Sequence, residues 1–166
     1  FSRQRFENTL FSILQLWTQH ILNLKFQGET DATPLAGRAV IDYFASEMPN
    51  QSEYVDDGGR LALEDKYTDF SAQVADYEDY YFLMLETDLG PYFRLLYHAF
   101  RHIEKSELSE EEKQRYAKIV RAHLSSSELT LLFFNCHSSF GEGFKAWIEK
   151  YELLKHIRPD VRARNI

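Results

Sequence analysis

The sequence predicts an all-α fold, a single-domain bundle of about six to seven helices, and three observations carry that expectation. Apolar residues recur at intervals of three and four through almost every segment. Helix start and stop signals fall between those segments. No alternation of period two lasts more than a few residues, and the chain has no internal repeat. With 166 residues, 44% of them hydrophobic and 13 Phe and 10 Tyr among them, there is material for one aromatic-rich core. A domain of that size buries roughly 70% of the surface its unfolded chain exposes.

Phe6, Leu10, Ile13, Leu14, Trp17, Ile21 and Leu24 recur at helical spacing and predict a long first helix, ended by Gly28 and a polar loop. Pro34 then starts a second helix through Ala39, Val40, Tyr43, Phe44 and Met48, and Pro49 stops it. The stretch from Asn50 to Arg60, with its Asp-Asp-Gly-Gly, reads as the clearest loop. Leu63, Tyr67, Phe70, Val74, Tyr77, Tyr81 and Leu85 again follow helical spacing, as two helices or one kinked one. A turn at Asp88-Leu-Gly-Pro91 separates them from a fourth helix, Tyr92 to about Lys105. Ser109 with Glu112 forms a capping box that opens a helix running to about Leu124. Ser125 to Ser127 cap an almost wholly apolar helix that ends before Gly141, and a last helix, Phe144 to His156, stops before Pro159.

The net charge of −7 is unevenly spread. Residues 29–90 hold 15 Asp or Glu against Arg38, Arg60 and Lys66, so the flanks together are basic and can present a cationic face. The plainer reading is a solvated acidic surface beside a mixed one. The single cysteine, Cys136, excludes an internal disulfide and, lying in an apolar run, reads as a small buried hydrophobe. No apolar run is long enough to span a bilayer. The chain opens on Phe1 rather than Met, and so is expected to be a soluble fragment of a longer protein.

The fourth helix has the most suggestive face. Phe93, Leu96, Tyr97, Phe100 and Ile103 form one stripe, and Arg94, His98, Arg101, His102 and Lys105 the other. The second stripe suits phosphate, or a metal-independent ribonuclease in which His moves protons and Arg stabilises the phosphorane. As a bare pattern it is more often the solvated face of an amphipathic helix. His98 and His102 are spaced to share a metal, but Arg101 would repel a cation and no acidic or thiol partner completes a set, so no metal site is expected. His123 reads as an inward, hydrogen-bonded histidine, and Arg121 as a partner for Glu128 across the serine break. Asn135 and His137, late in the apolar helix, must find partners, either core carbonyls or a ligand. No phosphate-binding glycine loop is present, and the tail with Lys155, Arg158, Arg162 and Arg164 is a modest basic patch.

Three blocks carry a resemblance: FENTLFSILQLWTQHILNLKF, YFRLLYHAFRHIEK, and YAKIVRAHLSSSELTLLFFNCHSSFGEGFKAWIEKYELLKHI. Together the chain resembles the phage abortive-infection family related to AbiC. Tyr92, Phe93, Arg94, Tyr97, Tyr116, Arg121, Leu124, Ser125, Glu128, Leu129, Asn135 and Gly141 match its pattern. The resemblance implies defence against bacteriophage by arresting or killing the infected cell. It also implies a cytoplasmic domain tethered to the inner membrane by transmembrane helices of the parent chain.

Three functions are expected. The leading one is a defence module that binds a phage component or a host protein and signals to a membrane segment, without cofactor or metal and without catalysis. Arg94, His98, Arg121, Glu128 and Asn135 would form its central polar cluster, with Arg101 beside them. The second is a ribonuclease like the HEPN proteins, using Arg94 with His98 or His102 across a symmetric dimer and RNA on the basic face. The chain departs from the Arg-x4–6-His pattern of those enzymes, since three residues separate Arg94 from His98 and seven separate it from His102. The third is a scaffold for homo-oligomerisation through the aromatic-rich helices.

Overall fold

The computed structural model describes residues 2–27, 33–46, 53–55, 61–63 and 70–157. It is all-α, with seven α-helices among the described residues. They are α1 (Arg3–Asn23), α2 (Arg38–Ser46), α3 (Phe70–Tyr80), α4 (Glu86–Glu104), α5 (Glu110–Arg121), α6 (Ser126–His137) and α7 (Glu142–Lys150). The expected signals at Gly28, Pro49, Tyr67, the Asp-Asp-Gly-Gly segment and Arg158 to Arg164 lie outside the described residues.

The hydrophobic stripe of α1 is buried as its spacing requires: Phe6, Leu10, Leu14, Trp17 and Ile21 all face inward, and α1 packs along α4. Where the sequence suggested no strands, two short antiparallel pairs occur. Lys25–Phe26 (β1) pairs with Leu35–Ala36 (β2), and Glu53–Val55 (β3) with Leu61–Leu63 (β4). Pieces of two or three residues are too short to show an alternating pattern. The β1–β2 pair delays α2, which begins at Arg38 rather than at Pro34, after Gly37 adopts a left-handed φ of 61°.

The largest departure from the sequence reading lies between α3 and α4. The expected turn at Asp88-Leu-Gly-Pro91 is helix. A π-helical turn, Tyr81–Leu85, joins α3 directly to α4, and Glu86 N–H bonds back to the Tyr81 carbonyl. Pro91 lies inside α4. A proline lacks the N–H of a regular helical bond and crowds the carbonyl four residues before it. It lies here six residues into α4, just after a widened turn, the kind of irregularity at which long helices bend.

Helix α6 is the centre of the bundle. Every residue from Glu128 to Cys136 is buried, and α6 touches α2, α3 and α7, as a helix that is apolar all round must. Both serine caps form as expected. Ser109 and Ser125 each accept from the N–H three residues on, and Glu112 and Glu128 return the bond to the cap backbone. The last helix is shorter than expected: α7 ends at Lys150, and a 3₁₀ turn, Leu153–His156, follows Glu152, whose φ of 49° is left-handed.

Candidate functional site

The polar residues singled out in the sequence divide into two groups, one that holds the fold and one that borders a cleft. Glu128 belongs to the first. Its carboxylate is fully buried, and its cation is Arg38, not Arg121: Arg38 Nη1 lies 2.5 Å from Oε2. Tyr92 donates its hydroxyl to Oε1 at 3.1 Å, and Ser125 N–H donates to Oε2 at 2.7 Å. One carboxylate thus clamps α2, α4 and the start of α6. Beside it, burial and then the Glu128 charge push the Tyr92 phenol well above its ordinary pKa. Arg121 instead donates Nη1 to the carbonyl of the left-handed Glu152, 3.1 Å away, and so steadies the end of α7.

The histidines are also accounted for. His102 donates Nε2–H to the Phe6 carbonyl at 3.1 Å and stacks on the Phe6 ring, centroids 4.7 Å apart, which docks α4 on α1. His123, expected to face inward, is exposed and bonds through Nδ1 to the Ile119 carbonyl of its own helix. His137 bonds through Nδ1 to the Phe133 carbonyl at 2.8 Å. His98 and Arg101 are exposed on α4. Burial pushes the Cys136 thiol up to about 12, which leaves a thiolate fraction on the order of 10⁻⁴ at pH 8. The folded protein should therefore be inert to a disulfide reagent at that pH and react only on denaturation. Rapid labelling of native protein would contradict a buried Cys136.

The second group meets at a cleft of about 450 Å³. One wall comes from the π-helical turn and α4 and carries Tyr81, Glu86, Gly90, Phe93, Arg94 and Tyr97. The other comes from the end of α6 and the start of α7, with Asn135, Phe140, Gly141, Gly143 and Phe144. The π-helical turn seats Tyr81 opposite Gly90, and π-turns often occur where function requires an unusual side-chain placement. Gly90 makes room for the polar groups. An ideal Cβ there would lie 3.2 Å from Arg94 Nη1 and 3.5 Å from both Nη2 and the Tyr81 hydroxyl, so guanidinium and phenol converge over it. Among the described residues no hydrogen bond or ion pair engages the Arg94 guanidinium, which is exposed. Burial raises the Tyr81 pKa, against the smaller opposing pull of Arg94, with Glu86 adding to the rise.

Opposite Arg94, Asn135 is buried and fixed. Its Nδ2 donates to the Tyr77 hydroxyl at 3.1 Å, and burial holds that phenol protonated by raising its pKa far above the ordinary value. Gly141 is obligatory there. A Cβ on it would fall 2.1 Å from the Asn135 carbonyl oxygen and 2.5 Å from Oδ1. Of the expected central cluster, the cleft therefore takes Arg94 and Asn135. His98, Arg121 and Glu128 do not line it, and neither does Arg101. Tyr81, Glu86 and Phe140 were missed by sequence reading. The first lay in a helix without signals of its own, and the other two owe their place to the π-helical turn and to the α6–α7 connection.

Among the described residues no helix is long and apolar enough to cross a membrane. No curated protein and no solved structure matches the chain significantly. Residues 84–161, just under half of the chain and including every cleft residue except Tyr81, match the family model described as "Putative phage abortive infection protein".

Proposed function

We propose that the chain is a helical phage-defence module whose working part is the Arg94 cleft. The cleft recognises the trigger of abortive infection, and the bundle passes that event to a partner or to a membrane-tethered segment of the parent protein. The observation that carries this reading is a convergence. Phe93, Arg94, Tyr97, Asn135 and Gly141, five of the residues that match the family pattern and drawn from two separate stretches of sequence, line one cleft. Packing accounts for Phe93 and Asn135, which are buried. It does not account for Arg94, an exposed cation held over a glycine with no bond to the described structure. Such a residue is better explained by what it binds than by what it stabilises.

The test is a phage challenge of cells expressing the full-length parent gene. Arg94→Ala removes a charge-assisted contact of about 2 kcal/mol, roughly thirtyfold in affinity, while leaving the melting temperature of the purified protein unchanged. Loss of protection is expected. Full protection by a normally expressed Arg94→Ala protein would sink the reading.

The ribonuclease alternative draws on the position of His98 one helical turn beyond Arg94, on the same exposed side of α4. RNA degradation without a divalent ion, abolished by His98→Ala, would favour it. Protection that survives His98→Ala and fails with Arg94→Ala favours the cleft as a binding site.

A further inference from the structure

Resting on the reading of the Arg94 cleft as a recognition site, we infer that its ligand is a small molecule carrying one planar ring and one phosphate, a nucleoside monophosphate in chemical class. Three features of the cleft carry this.

The first is size and shape. A concave site of about 450 Å³ lies in the range that encloses a small molecule rather than a protein surface. The second is the donor pair. Arg94 Nη1 and Nη2 and the Tyr81 hydroxyl border the same residue, Gly90, on one wall of the cleft, so one tetrahedral anion seated beside them can accept from both residues. A guanidinium fork binds phosphate oxygens two at a time, and the phenol supplies a further donor. The third is the aromatic wall. Phe140 is 49% exposed at the cleft although it is a large apolar side chain, and Tyr97 is half-buried across from it. Phe140 packs one side on the Tyr81 ring, centroids 4.7 Å apart, and Tyr97 packs on Trp147 at 4.9 Å, so the exposed part of Phe140 is the aromatic surface beside the cation on which a planar base can stack.

The cleft also limits how much charge the ligand carries. Arg94 and Glu86 are the charged residues of its lining, and their formal charges cancel. Each phosphate beyond the first would meet Glu86 without a second cation to balance it. A carboxylate in a lining that also holds a guanidinium suits the hydroxyl and amino donors of a nucleoside instead. A single phosphate is therefore preferred over a di- or triphosphate.

The experiment is a calorimetric titration of the full-length protein with four probes: AMP, adenosine, ribose 5-phosphate and ATP. AMP is expected to bind, and adenosine, ribose 5-phosphate and ATP each at least about tenfold more weakly, which is the loss expected when one of the recognised groups is missing or unbalanced. GMP and UMP in place of AMP read how far the ring matters. Arg94→Ala should remove the advantage of AMP over adenosine, and Phe140→Ala its advantage over ribose 5-phosphate, with both variants keeping the wild-type melting temperature. Absence of binding by every nucleotide, or equal binding of AMP and ribose 5-phosphate, overturns the ligand class. The two readings fail separately. If no nucleotide binds and Arg94→Ala still abolishes phage protection, the ligand class falls and the cleft stands. If Arg94→Ala protects fully, both fall.

Discussion

Replacing Arg38 with alanine is expected to destabilise the fold by about 2 kcal/mol, because it leaves the buried Glu128 carboxylate without its cation, although the half-exposed position of Arg38 lets water take part of its place. At this chain length such a loss lowers the melting temperature by about 6 °C. Glu128→Ala should cost about as much by another route, since it strands the Tyr92 hydroxyl and the Ser125 N–H and removes the α6 capping box. The two effects should be far from additive, because both break one clamp. Arg121→Ala, which gives up one bond to the Glu152 carbonyl, should cost about 1 kcal/mol. Urea unfolding of the three single variants and of the Arg38/Glu128 double variant reads all of this. A larger loss for Arg121→Ala than for Arg38→Ala would contradict Arg38 as the partner of Glu128.

Gly141→Ala is the second large effect. The new Cβ would sit 2.1 Å from the Asn135 carbonyl oxygen and 2.6 Å from its carbonyl carbon. Those are backbone atoms that no rotamer change can move, so the α6–α7 connection must shift as a whole. A cost of about 3 kcal/mol is expected, at the upper end for overpacking, together with a reshaped cleft. Gly143, two residues on and within α7, has nothing within 4 Å of its Cβ position. Gly143→Ala should therefore be neutral or stabilising by about 0.5 kcal/mol, through helix propensity and a less flexible unfolded chain. Thermal melts of the two variants separate steric need from mere glycine content. Equal stability would contradict the close approach of Gly141 to Asn135.

What the sequence made legible is what local chemistry determines. The stripe of α1, the serine capping boxes of α5 and α6, the burial of Cys136 and the basic outer face of α4, from which only His102 turns in against Phe6, follow from spacing within a turn or two of helix. The all-α class follows from the same periodicity. The failures share a different cause. Arg38 lies in the acidic segment and reaches Glu128 across ninety residues, a pairing that no helical spacing encodes, so the nearer Arg121 was the natural candidate. Gly90-Pro91 is a breaker signal by composition, yet the π-helical turn before it lets the helix run on. That one irregularity also hid the cleft, because Tyr81 and Glu86 join Arg94 only once α3 and α4 are continuous. Arg94 and Asn135 were singled out for separate reasons, one as a cation on a helix face and the other as a costly polar residue in an apolar run. Their shared cleft is a property of α4 lying against the end of α6.

The most direct test compares three variants of the full-length gene in the same phage challenge: Arg94→Ala, Arg94→Lys and Arg101→Ala. Arg101 is also an exposed cation on the same helix but does not line the cleft. The expected result is loss of protection with Arg94→Ala, partial protection with Arg94→Lys, which keeps the charge and loses the fork, and full protection with Arg101→Ala. Equal protection by all three, at equal protein levels, would contradict the Arg94 cleft as the working part of this domain.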